Sequence, residues 1–114
     1  MKGKIFVSGF MLQLLFLACQ KESISIAANI DCTTVTYANV IQPLLQQNCS
    51  GASCHGTNGS RGDLMTYSKL KPYVNNGSFR REVLDRQSMP EGGSLSSQEL
   101  GQIKCWLDNG ALND

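Results

Sequence analysis

Nothing in this chain repeats. No alternation of polar and apolar residues marks a strand, no hairpin turn signal is present, and no low-complexity tract occurs. Those absences exclude solenoids, sandwiches and barrels, and leave helices as the regular structure. Net charge is scarce as well, +1 with histidine neutral, so nucleic acid or an acidic polymer finds no excess of positive charge. Histidine is rarer still, and His55 is the only one. Structural zinc commonly takes two pairs of Cys or His, and a single imidazole without a second CxxC-like pair falls short of that. Long hydrophobic runs are missing too. The longest, Ile5–Ala18, is shorter than the about 20 residues of a membrane span.

Cysteine, by contrast, is abundant. Five in a chain of 114 residues is a high count whose meaning depends on the compartment. The N-terminus supplies the compartment. Lys2 and Lys4 precede the apolar run, which is the pattern of a secretory signal. The run ends in "FLAC", Phe16 to Cys19. This resembles the lipobox of bacterial lipoproteins, with Phe16 where that motif usually has leucine. Residues 1–18 are therefore expected to be a lipoprotein-type signal peptide, and Cys19 the lipidated mature N-terminus. The expected location is the periplasmic side of a bacterial cell envelope, held to the membrane through the lipid on Cys19. Cys32, Cys49, Cys54 and Cys105 then remain, an even number that suits an oxidising compartment. Residues 19–31 are small and polar and read as a flexible tether. The folded domain is expected over 32–114, a size that usually needs staples or a cofactor beside its apolar core.

Two prolines locate helices, because the first helical turn tolerates a missing N–H. Pro43 predicts a helix starting near Asn39, with Asn39 as cap and Gln42 as its capping-box partner. Val40, Ile41, Leu44 and Leu45 then share a face, and the helix runs into Cys49. Pro72 predicts a second helix capped by Ser68 and stopped at Asn76-Gly77. Ser78 is expected to cap a short helix carrying Phe79, Val83 and Leu84. Arg86 to Ser94 reads as an irregular loop. Ser96 with Glu99 forms a capping box for the last helix, whose apolar stripe is Leu100, Ile103 and Leu107, with Trp106 on its flank. Gly110 is its natural C′ residue. The domain is expected to be all-α, with short helices and long loops.

"NCSGASCHG", Asn48 to Gly56, places His55 directly behind two thiols. Zinc would need Cys32 and Cys105 to converge on the same point. A Cys49–Cys54 disulfide would close a tiny loop, and would leave His55 and the loop at Met89 without a role. Covalent haem attachment explains more: two sulfurs add to the vinyl groups, and the histidine after the second cysteine binds iron. The usual spacing is CxxCH, and here four residues intervene. On a regular helix Cys54 would lie about 140° round from Cys49, so the segment must bulge. Ser50, Gly51, Ala52 and Ser53 are small, and Gly51 is free to take unusual φ. The second axial ligand is expected to be Met89, in a glycine-rich loop ahead of Pro90. Met65 follows His55 too closely and reads as a packing residue beside Leu64.

"YANVIQPLLQQNCSGASCHG", "GDLMTYSKLK", "SMPEGG" and "LSSQELGQIKCWLDNGALND" resemble successive pieces of bacterial class I-type cytochrome c domains, over Tyr37 to Asp114. The resemblance implies a fold in which N- and C-terminal helices cross above a haem pocket. It implies one haem c, with Cys49 and Cys54 as attachment thiols, His55 as proximal iron ligand and Met89 as distal ligand. The longer cysteine spacing is the departure from that family.

Cys105 lies nearly opposite the apolar stripe of the last helix. A disulfide to Cys32 would strap the N-terminal arm across that outer side; the alternative is two free thiols. Among the basic residues Arg61, Lys69, Lys71, Arg80, Arg81 and Arg86, one or two are expected to meet haem propionates. The reading is an exported, lipid-anchored monohaem c-type cytochrome that carries single electrons to and from redox partner proteins. It is not an enzyme, because both axial positions are filled by protein. The rival readings are a haem sensor or peroxidase-like protein with a labile distal ligand, and a haem-free, disulfide-stapled binding module.

Overall fold

A computed structural model describes residues 22–114. The signal segment 1–18 and the lipidation site Cys19 lie outside the described residues. Among the described residues the regular structure is entirely helical, and no helix is long and apolar enough to cross a membrane.

A 3₁₀ turn at Cys32–Thr34 opens the domain. Thr36 then caps a wide, π-type turn, Tyr37–Ile41, by accepting a hydrogen bond from the Asn39 amide. The turn continues as α1, Gln42–Cys49. The helical rise thus begins earlier than Pro43 suggests, and Thr36, not Asn39, is its cap. Pro43 does fall in the first turn of α1, although the wide turn already runs ahead of it. Helix α2 spans Tyr67–Asn75 and starts at Thr66, not Ser68. Pro72 therefore sits inside the helix rather than in its first turn. Helix α3 is a single turn, Ser78–Arg80, and runs into a second wide turn, Arg81–Asp85. Ser78 is not its cap: the Asn76 side chain accepts from the Ser78 amide.

Helix α4, Ser97–Asp108, starts as its sequence predicts. Ser96 accepts from the Glu99 amide, and Glu99 accepts from the Ser96 amide. It ends in a Schellman arrangement: the Ala111 amide reaches the Trp106 carbonyl and Gly110 reaches Leu107. Gly110 has φ +98°, a value glycine adopts without a Cβ penalty.

Leu100 and Ile103 face the core as expected, but the third core residue of α4 is Trp106, 1% exposed, and not Leu107. The indole lies 5.9 Å from the Tyr37 ring, and Tyr37 meets Tyr67 edge-on at 5.3 Å. Such aromatic contacts favour Trp106 inward over a leucine. The indole N–H donates to the Leu112 carbonyl, and the Tyr67 hydroxyl to that of Ala111. The C-terminus closes onto the first wide turn, where Asp114 accepts from the amides of Tyr37 and Ala38.

Cys32 and Cys105 form a disulfide, with Cα atoms 5.1 Å apart. The described part of the expected tether is not free of the domain. Ile24, Ile26 and Ile30 are half-buried against the core.

Candidate functional site

Cys49 is the last residue of α1, whose buried Leu44 and Leu45 fix its position. The chain then leaves the helix and turns back on itself. The Cys54 amide donates to the Gly51 carbonyl at 2.8 Å, and the His55 amide to the Cys49 carbonyl at 3.1 Å. The four residues between the cysteines are thus taken up in a turn that returns His55 to Cys49. Gly51 does not use its freedom to take a positive φ. The steric demand falls on Gly56, where a Cβ would stand 2.2 Å from the Ser50 carbonyl oxygen.

His55 Nδ1 lies 2.9 Å from the Gly62 carbonyl oxygen. A carbonyl can only accept, so Nδ1 carries the proton, and in the neutral ring Nε2 is the nitrogen with the lone pair. This is the arrangement by which a metal-binding imidazole is usually oriented. Gly62 supplies the carbonyl from φ +96°, and a Cβ there would come 2.4 Å from the Tyr73 hydroxyl. No sequence pattern singled out Gly62 or Tyr73, because the contact joins a loop to α2.

Met89 arrives from the loop between the second wide turn and α4. Its amide and that of Ser88 donate to the Glu82 carbonyl. Cys49, Cys54, His55 and Met89 line one cleft of about 800 Å³, counting the part open to solvent. Leu64, Phe79, Val83 and Pro90 furnish apolar wall. Arg61 pairs with Glu91 at 2.6 Å on the exposed rim. Of the basic residues named above, Arg61 is the one that lines the cleft. Met65 is half-buried against the core and is absent from the cleft lining, as its packing role requires.

Cys49 and Cys54 are free thiols. Burial, then the neighbouring Cys54 and Glu99, pushes the Cys49 thiol up to about 11. It is therefore protonated at neutral pH and is not an activated nucleophile. Among the described residues no group of three or more His, Cys, Asp or Glu is placed to hold a metal ion, so a four-ligand zinc site has no donor set.

The cleft offers two thiols, one imidazole nitrogen and one thioether, all half-buried, between apolar walls. No family model matches the chain, and no curated protein or solved structure matches it either.

Proposed function

We propose that the chain is a monohaem c-type cytochrome of class I type, exported and lipid-anchored at Cys19, that carries single electrons between redox partner proteins. The observation that carries this reading is the gathering of Cys49, Cys54, His55 and the distant Met89 in one apolar cleft.

The residues present fit a haem c. Cys49 and Cys54 would hold it by thioether bonds, and His55 Nε2 and the Met89 sulfur would bind its iron. The bound group supplies an iron that cycles between Fe(II) and Fe(III).

The protein's own contribution is orientation and environment. The Gly62 carbonyl fixes the His55 tautomer and makes the imidazole a better donor. Met89 offers a soft, neutral sulfur, a ligand that raises the potential. Phe79, Val83 and Leu64 keep water from the cleft wall. Arg61 presents a guanidinium at the rim, suited to a carboxylate. With His55 and Met89 both holding the iron, no iron site would be left for a substrate, which favours a carrier over an enzyme.

The test is the full chain made in an export-competent, haem-ligating host and extracted with acid–acetone. Its mass should retain one haem, and a Cys49→Ala/Cys54→Ala double variant should lose it. Folded wild-type protein without covalent haem overturns the proposal.

A further inference from the structure

Residues 22–31 run alongside α4, contact by contact. The Cys32–Cys105 disulfide pins one end, and the Asn109 side chain donates to the Cys32 carbonyl. One turn up the helix stands Gly101. A Cβ there would lie 2.7 Å from Ile30 and 2.8 Å from the Ala27 carbonyl oxygen, so α4 carries no side chain where the strap crosses it. The Ala27 amide then donates to the Ser97 carbonyl at the start of α4. Past the end of the helix the strap reaches the loop that bears Met89. The Ile24 amide donates to Gln87 Oε1 at 2.7 Å, and Gln87 Nε2 donates to the Ile24 carbonyl at 2.7 Å.

Gln87 thus pairs with the strap's backbone as a neighbouring strand would. It does so from φ +49°, a left-handed conformation that is uncommon for a residue other than glycine and is kept only where its surroundings impose it. Met89 follows two residues later. On its other side the same loop is gripped by the Glu82 carbonyl through the amides of Ser88 and Met89.

We propose that the strap and Gln87 form a clamp that holds the Met89 loop on the cleft, with Gln87 a positioning residue for the Met89 sulfur. The positioning half rests on Met89 as an iron ligand; the clamp itself does not. Loss of the Gln87 pairing leaves the Glu82 grip, so the loop loosens while the domain stays folded.

The experiment compares the wild-type full chain with Gln87→Ala and Gln87→Glu, the latter keeping only the acceptor for Ile24. Amide hydrogen exchange is followed over residues 86–95, with α2 as the folding control. Two part-buried hydrogen bonds are lost in Gln87→Ala, so loop exchange should accelerate about tenfold or more while α2 is unchanged. Gln87→Glu should fall between. In the haem-loaded chain, Gln87→Ala should weaken the far-red absorption of the ferric iron–thioether bond and admit carbon monoxide to the ferrous iron. Loop exchange unaltered by Gln87→Ala refutes the clamp. A loosened loop with unaltered absorption and carbon monoxide exclusion refutes the positioning role. Wild-type protein without the far-red band overturns Met89 as a ligand, and the exchange measurement then decides the clamp alone.

Discussion

The two ends of this small domain are built differently. At the α4 end, Trp106 and Ile41 are at most 1% exposed. The polar tips of Trp106 and Tyr67 find backbone carbonyls there, and a disulfide from the buried Cys105 ties the helix to Cys32. At the loop end, two thiols, an imidazole and a thioether stand half-buried around an open cleft. The polypeptide spends its close packing on one end and leaves its chemically distinctive side chains at the other. Rigid packing at the first end lets the second keep soft donor atoms accessible, because one well-packed cluster can hold loops that have little core of their own.

That contrast is sharpest under truncation. Trp106→Ala should cost about 3–5 kcal/mol, because a cavity opens in a region with no room to collapse. Phe79→Ala removes a comparably buried ring, but from the cleft wall. The space it leaves merges with the cleft, so the loss should approach the transfer term alone, about 2–3 kcal/mol. Denaturant titration of haem-free protein separates the two. Equal costs at both positions would break the comparison.

The disulfide comes next. The bridged cysteines are 73 positions apart, and a closed loop of that length is worth at most about 4–5 kcal/mol in the chain-entropy account. A Cys32→Ser/Cys105→Ser variant should lose somewhat less than that, since the strap keeps its contacts to Ser97 and Gln87. Thermal unfolding at matched protein concentration measures the loss.

Smaller still is the pH response, which differs in sign between Cys49 and its neighbour Glu99. Burial raises the Cys49 thiol to about 11 from 9.0, so the folded state holds that proton more tightly than the unfolded chain. Its contribution is present below pH 9.0 and fades as pH rises through about 11. Glu99 behaves oppositely. The Ser96 amide holds its carboxyl below the ordinary 4.5, so α4 keeps this support above that value and loses it as pH falls further. Haem-free protein should weaken in both directions. Cys49→Ser should shrink the alkaline limb, leaving the part contributed by the buried Tyr37 hydroxyl. Glu99→Gln should blunt the acid limb, whereas Ser96→Ala should cost about 1 kcal/mol as a lost cap and keep the backbone amide that holds Glu99 down.

Local signals in the sequence were readable where they act over one helical turn. The Ser96–Glu99 box and Gly110 mark the ends of α4 because capping involves residues three or four apart. The sequence points to Asn39 as the start of the first helix, whereas the rise begins at Tyr37, because the Tyr37–Ile41 turn is wide and the 3.6-residue period does not run through it. The apolar stripe favours Leu107 over Trp106 for the same kind of reason: the stripe is local, whereas the contact of Tyr37 with the indole is not. The site divides likewise. Cys49, Cys54 and His55 are adjacent in sequence, and Met89 is marked by its loop and Pro90. Gly62, Tyr73 and Gln87 act through contacts between segments far apart, which composition and spacing do not encode. The strap is the clearest example. Its residues read as a tether because they lack a period, and the bare surface of Gly101, the Ser97 carbonyl and the amide of Gln87 give them a place to lie.

The most direct test of the central claim is the reduced-minus-oxidised spectrum of the full chain from a haem-ligating host, repeated with carbon monoxide. A c-type haem spectrum that carbon monoxide leaves unchanged in the wild type, and alters in Met89→Ala, is the predicted result. Colourless folded protein, or a wild-type spectrum that shifts at once with carbon monoxide, would contradict it.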